Sequence, residues 1–312
     1  MLELKEVSRV QGGQPVLDRA SLVISRETPT AIVGLTAYER SVLARVLSGQ
    51  DKPQAGSIRL GGKDIAQARR QKGCIAVVGG DAQKRNKPGK GPGREQQMRA
   101  AFSKARSDRA ALIILDAPAT DLGLEARENF IGDLKALCES AGAIVVLLAG
   151  DADEAMALGG QVVVLQRGEI VQVGPAADVF THPANLTAAI ATSFPKLNTI
   201  AMTAREGRGV LADGSSFQPP EQLKLPDAGA CTVAFHPDDM TLQRAGTGCL
   251  RFIVRAAGDE IVGGRRFVRV TFAGSDWLTP QSELQPHAGA ILNAFVERSR
   301  LMAFDASGKA IG

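Results

Sequence analysis

No run of the chain approaches the roughly 20 consecutive apolar residues that a membrane-crossing helix requires. The opening residues, Met1 to Glu6, read MLELKE and carry acids where a secretory signal has a basic and then an apolar run. Insertion and export are therefore not expected, and a cytoplasmic location is. Cysteine is sparse: Cys74, Cys138, Cys231 and Cys249 lie far apart without C-x-x-C spacing. They are expected to be small, buried, reduced side chains and not a disulfide frame. The three histidines, His182, His236 and His287, are equally scattered, which leaves no metal cage to predict. Charge of one sign is nearly lacking too. Lys and Arg number 37 against 33 Asp and Glu, a net +4 that argues only weakly for nucleic acid, and no nucleic-acid partner is expected. The 34 glycines and 15 prolines follow no G-X-Y period, so they mark turns and exclude collagen. Aromatic residues make up only 4% of the chain.

What is present has two textures. The 312 residues suffice for two domains, each with its own core. In the first half, Leu2–Val10 and Val16–Ile24 read as strands joined by a turn at Gly12 and Gly13. Thr30–Val33, Cys74–Val78, Ala111–Leu115, Ala143–Leu148 and Gln161–Leu165 are short apolar runs bounded by Gly, Asp or Pro. Strands covered on both faces read this way. Helical spacing falls between them at Glu39–Gly49 and Leu124–Glu139, and strand–helix alternation predicts a mainly parallel sheet. Leu186–Ser193 is expected to be a last helix. From Ile200 onward short alternating segments, such as Thr232–Phe235, Leu250–Val254, Arg266–Phe272 and Ile291–Val296, predict a small barrel-like all-β domain. Between the textures of strand and helix lies a basic, Pro- and Gly-rich stretch, 81–93, expected to be a solvated loop.

Several phrases, in order, carry a family resemblance. They are LELKEVS at Leu2–Ser8, GSIRLGGKDI at Gly56–Ile65, LDAP at Leu115–Pro118 and DADEAMAL at Asp151–Leu158. VLQRGEIVQVG at Val164–Gly174, FHPDDM at Phe235–Met240 and LMAFDASGK at Leu301–Lys309 complete the series. Together they resemble the ATPase subunit of ATP-binding-cassette (ABC) transporters, in its carbohydrate-importer branch with a C-terminal β domain. The resemblance implies an α/β fold: a P-loop NTPase-like core with a mixed, mainly parallel sheet at 1–195, followed by an all-β OB-like domain at 200–312. It also implies that the helical subdomain normally inserted before the signature motif is deleted, since only the loop 81–93 stands in its place.

The same resemblance shows where the chemistry departs. A P-loop, G-x-x-x-x-G-K-[ST], cradles phosphates on backbone N–H groups and a lysine, with the Ser/Thr hydroxyl on Mg²⁺. Here Gly34 and Ser41 remain, but Glu39 stands at the second glycine and Arg40 at the lysine. Asp116 keeps the magnesium-supporting aspartate, while the catalytic glutamate that follows is Ala117. The switch histidine falls on Gly150, the coupling glutamine near Gly79 or Gly80, and the bridging aspartate on Gly123. The adenine-stacking aromatic falls on Gln11, and the signature on Gly91-Pro-Gly-Arg-Glu95. A side chain at Glu39 obstructs close approach, and its carboxylate repels a triphosphate. No catalytic residue and no cofactor are therefore expected.

Three functions follow from this reading. The first is a non-hydrolytic subunit of a carbohydrate- or polyol-type importer on the inner membrane face. It would form a homodimer, or a heterodimer with an intact ABC ATPase, and associate with permease subunits. The second is a free-standing regulatory or scaffolding protein sensing a small ligand through the β domain, with Arg265, Arg266, Trp277 and His236 as its candidate surface. The third keeps Mg-ATP bound without turnover through Gly34, Arg40, Ser41 and Asp116. The basic loop residues Lys84, Arg85, Lys87, Lys90 and Arg94 form either a solvated hinge or a weak contact for anionic lipid or an acidic partner.

Overall fold

The structure, a computed structural model, describes residues 1–80, 94–119, 122, 124–140, 142–212, 214–221, 223–243, 246, 248–282 and 284–311. They divide into two compact units, Met1–His182 and Pro183–Gly312. The first contains β1 (Leu2–Gln11), β2 (Gln14–Ile24), β3 (Thr30–Val33), α1 (Ala37–Leu47), β4 (Ala55–Leu60), β5 (Lys63–Asp64), α2 (Ile65–Arg70) and β6 (Ile75–Gly79). Then come α3 (Arg94–Ser107), β7 (Leu112–Asp116), α4 (Leu124–Ser140), β8 (Ile144–Leu148), α5 (Ala152–Leu158), β9 (Gln161–Gln166), β10 (Glu169–Pro175) and α6 (Ala176–Thr181).

Two sheets result. The first is antiparallel, in the order β2-β1-β4-β5. The second runs β10-β9-β3-β8-β7-β6, parallel throughout except for the edge strand β10. Every residue of β7 and β8 is buried, which is why these strands show no alternation. Leu43, Leu47, Ile32, Val163 and Leu165 join Leu4, Leu17 and Ile24 in one core, so α1 lies with the apolar sides of both sheets. Helix α3 was not expected from the sequence. Met98, Phe102 and Ala105 supply a buried stripe at helical spacing along it, but its exposed remainder is strongly polar. Among the described residues α3 is the one helix between β6 and β7. The basic loop 81–93, including signature-aligned Gly91, Pro92 and Gly93, and also Gly123, lies outside the described residues.

The second unit opens with α7 (Leu186–Ala191), N-capped by Asn185, whose Oδ1 accepts from Ala188 N at 2.8 Å. This helix packs with its own unit: Ala189 shares a buried cluster with Leu197, Ala234 and Phe304. The division falls at 182/183 and leaves α7 in the second unit, whereas the resemblance implies a first domain of 1–195. The strands are β11 (Asn198–Arg205), β12 (Arg208–Val210), β13 (Ser216–Phe217), β14 (Ala228–Phe235), β15 (Met240–Thr241), β16 (Cys249–Val262) and β17 (Arg265–Phe272). They are followed by β18 (Ser275–Pro280), β19 (Ile291–Glu297), β20 (Met302–Asp305) and β21 (Ala310–Ile311). They form antiparallel sheets ordered β13-β12-β11-β14-β20-β21 and β15-β19-β16-β17-β18. The two share one core, with Ile200, Val233 and Ala303 from one and Val254, Val270 and Val296 from the other. Among the described residues no helix is long and apolar enough to cross a membrane. Cys231 is buried, whereas Cys74 and Cys249 are only partly so, and all three are free thiols.

Candidate functional site

The segment Gly34–Ser41 connects β3 to α1. The helix already begins at Ala37, so only Gly34, Leu35 and Thr36 remain between strand and helix. Thr36 is its N-cap and Glu39 its third residue, and the two close a capping box. Glu39 N donates to Thr36 Oγ1 at 3.3 Å, while Glu39 Oε2 accepts from Thr36 N and from the Thr36 hydroxyl, each at 2.7 Å. A carboxylate thus sits at the positive end of the α1 dipole, where a phosphate would otherwise be welcome. Gly34 has a separate reason to be glycine. Its φ is +87°, and a Cβ there would lie inside van der Waals contact of Leu165 O on β9.

Arg40, the turn's one cation, does not face solvent. It is 9% exposed, with Nη1 donating to Leu35 O at 3.2 Å and Nε 3.4 Å from Asp116 Oδ1. Asp116 ends β7 and is 5% exposed. Its carboxylate occupies the room left by Gly80, where a Cβ would collide with Oδ2; a Cβ at Gly79 would collide with Asp116 O. The hydroxyl of Ser41 accepts from Arg45 Nη1 at 3.2 Å, and Arg45 Nε meets Asp51 Oδ2 at 3.1 Å. Asp51 also receives Arg9, whose Nη2 bonds Gln11 Oε1 at 2.8 Å. Ala117 is buried at φ +44°, its N–H on Leu148 O at 2.9 Å.

The expected site residues therefore assemble in part. Arg40 and Asp116 come together as a buried ion pair. Ser41 is drawn into a network with Arg45, Asp51 and Arg9. Gly34 serves the approach of β3 to β9.

One residue escaped the sequence reading. Glu154 on α5 is 2% exposed, and it accepts from Ala119 N at 2.8 Å and Gly150 N at 2.7 Å. It ties the turn after β7 to the turn after β8. Burial pushes its carboxyl up from 4.5 to about 7 against the pull of the Gly150 N–H; nearby Asp151 raises it further, while the Ala119 N–H and Arg127 lower it. Beside it, Asp151 caps α5 and pairs with buried Arg127. Burial lowers the Arg127 guanidinium's proton affinity, but its hydrogen bond and ion pair with Asp151 outweigh this and hold it above its ordinary value. The only sequence signal was the DADE phrase itself, in which Asp151 and Glu154 have N-cap and N3 spacing.

The candidate surface of the second unit does not form one. Trp277 is 1% exposed within a cluster of Phe235, Phe252 and Phe272. His236 is buried, with Nδ1 3.1 Å from Ser193 Oγ. Arg265 forms a two-pronged pair with Asp238, and Arg266 stays exposed.

No family model matches the chain. Its relatives are nevertheless consistent. It is 26% identical over 302 residues to a sulfate/thiosulfate import ATP-binding protein of Chromobacterium violaceum, covering 84% of this chain and 81% of that protein. An Fe(3+) ions import ATP-binding protein of Mannheimia succiniciproducens is 24% identical over 319 residues, 89% of each chain. A putrescine transport ATP-binding protein of Escherichia coli is 24% identical over 284 residues, covering 78% and 74%. The chain is thus similar over most of its length to the ATP-binding proteins of ABC importers. The solved structure of cbiO1 from Clostridium perfringens, described as part of the ABC transporter complex cbiONQ, shares the fold. Its TM-score is 0.50 at 19% identity, over 58% of this chain and 90% of that one.

The names of these relatives imply Mg-ATP, so the fit of the residues to that ligand matters. Glu39 already fills the helix N-terminus, Arg40 is committed to Asp116, and the loop is only three residues long. A triphosphate brought to this turn would meet a carboxylate and no uncommitted cation of the turn. The residues present do not fit Mg-ATP in the manner of a P-loop.

Proposed function

We propose that this chain is a non-hydrolytic cassette subunit of an ABC importer, pairing with an intact ATPase or with a second copy at the inner membrane face. The observation that carries the reading is the state of the nucleotide turn, in which Glu39 caps α1 and Arg40 is buried against Asp116. The position after Asp116 supports it. Ala117 supplies no carboxylate to orient water, and its buried N–H is held by Leu148 O. The role in an importer rests on the relatives, whose names share import or transport ATP-binding protein across sulfate/thiosulfate, Fe(3+) and putrescine. Those names span several solutes, and the carbohydrate or polyol class comes from the sequence resemblance alone. Without partner motifs from this chain, any productive ATP site in the assembly must be built by other subunits.

The test is recovery of the tagged chain from native membranes in mild detergent, with mass spectrometry of what comes with it and phosphate release by the isolated chain. Co-purified permease subunits together with no phosphate release above a buffer control are the expected result. Turnover by the isolated chain, or its recovery without any permease, overturns the reading. A solute-binding protein in the same preparation would identify the cargo class.

A further inference from the structure

The substitutions around the turn are mutually complementary in a way that scattered decay of a nucleotide site would not produce. Four positions of the turn and its surroundings each have a specific partner. Glu39 replaces a glycine and fills the α1 N-terminus through two bonds of 2.7 Å. Arg40 replaces a lysine and reaches back to Leu35 O and across to Asp116. Gly80 leaves the space into which Asp116 Oδ2 projects. The Ser41 hydroxyl is engaged by Arg45, which Asp51 anchors. Opposite charges thus stand where phosphate and cation would otherwise meet. The Arg40 and Asp116 side chains are only 11% and 7% exposed, so the pair is little screened by solvent.

We propose that Glu39, Arg40 and Asp116 act as a built-in substitute for Mg-nucleotide: Glu39 fills the α1 N-terminus, and the Arg40–Asp116 pair ties α1 to the end of β7 in one nucleotide-independent conformation. The inference rests on the non-hydrolytic reading above and deepens it. In an ordinary cassette the elements around the nucleotide are joined through the ligand. Here the chain supplies both signs of charge itself, and the join is permanent. The subunit then presents a constant surface to its partners whatever the nucleotide supply.

The experiment is a double-mutant cycle read by hydrogen exchange on the full chain. Amides of 35–41 and 112–117 are followed in the wild type, Arg40→Met, Asp116→Leu and the double variant, each with and without Mg-ATP. Removing one partner of a buried pair strands the other charge, whereas removing both does not. Each single change is therefore expected to raise exchange about 100-fold, and the double variant only about 10-fold. Wild-type exchange should not respond to Mg-ATP. If a single variant fails to fold, Arg40→Lys and Asp116→Asn carry the same cycle with smaller steps. Multiplicative single effects in the double variant, or protection of wild-type 35–41 by Mg-ATP, overturn the lock. Phosphate release by the isolated chain is the separate readout that would sink the functional reading, so the two failures are distinguishable.

Discussion

The Glu154 carboxylate and the Gly150 amide meet at 2.7 Å in a site almost closed to solvent. A second bond from the same carboxylate reaches Ala119 N at 2.8 Å. One side chain thus sets the spacing of the turns that follow β7 and β8.

That arrangement predicts a pH dependence. Burial lifts the Glu154 carboxyl from 4.5 to about 7 in the folded chain. Between those values the folded state holds a proton that the unfolded state has released. Stability from this group is then full below pH 4.5 and is lost as pH rises through about 7, a swing of about 3 kcal/mol. Glu154→Gln removes the titration. It also turns an amide donor toward one of the two backbone N–H groups, so the variant is weaker in acid, where the wild-type carboxyl is neutral. Urea unfolding monitored by exchange in β7 and β8 at pH 5, 6, 7 and 8 provides the check. The gap between wild type and Glu154→Gln should narrow by about 3 kcal/mol from pH 5 to pH 8; a constant gap would show that the carboxyl does not titrate there.

Trp277 yields a second prediction. Its ring stacks on Phe272 at 4.6 Å and meets Phe235 and Phe252 edge-on, while Nε1 donates to Thr199 O at 2.9 Å. As the chain's single tryptophan, it reports on the second unit alone. Its emission should be blue-shifted in the native protein, protected from iodide, and unchanged by added sugars, polyols or oxyanions. Trp277→Ala is expected to cost about 3–5 kcal/mol. Trp277→Phe, which keeps most of the packing and loses the Nε1 bond, is expected to cost about 1–2 kcal/mol. Strong quenching of the native protein by iodide would contradict the burial.

Much of this architecture was legible in the sequence, for physical reasons that differ by element. β7 and β8 were visible because strands buried on both faces leave an unbroken apolar run. The β1–β2 hairpin was visible through Gly12 and Gly13. Helix α3 was hidden because its buried positions, among the described residues, are Met98, Phe102 and Ala105 in a segment dense with Lys, Arg and Gln. Within the site, alignment of spacing brought Gly34, Arg40, Ser41 and Asp116 to notice. Their roles were not legible, because the Arg40–Asp116 pair joins residues far apart in the chain. The capping role of Glu39 did have a local sign, the Thr36-x-x-Glu39 spacing of a capping box, which the phosphate-loop alignment overshadowed. Trp277 was read as partly buried packing sooner than as a ligand platform, and it is almost wholly buried; the burial of His236 had no local sign.

Asn198 supports a third prediction. This buried side chain imitates a strand, with Nδ2 donating to Leu278 O at 2.8 Å and Oδ1 accepting from Leu278 N at 2.9 Å. It thereby joins β11 of one sheet to β18 of the other. Asn198→Ala leaves a buried donor and a buried acceptor unmatched, an expected loss of about 3 kcal/mol. Asn198→Asp keeps the acceptor, loses the donor and buries a charge, so it should be worst at high pH and partly recover in acid. Denaturant unfolding followed by Trp277 emission at pH 5 and pH 8 measures both, and equal midpoints for Asn198→Ala and wild type would refute the bridge.

Gly34 supports the last prediction, because its retention has two competing explanations. A phosphate-binding role asks only for open backbone beside a ligand. The structure instead gives a φ of +87° and a Cβ position that collides with Leu165 O, a backbone atom of β9 that cannot move without parting two parallel strands. Gly61 separates the two contributions. Its φ is +57°, but a Cβ there has nothing within 4 Å. Gly61→Ala should therefore cost about 1 kcal/mol, from backbone conformation alone. Gly34→Ala should cost at least about 2 kcal/mol more and raise exchange in Thr30–Val33 and Gln161–Gln166 together, with no nucleotide present. Equal costs at the two positions would mean that β3 and β9 have room to spare, and that Gly34 owes its place to something other than their packing.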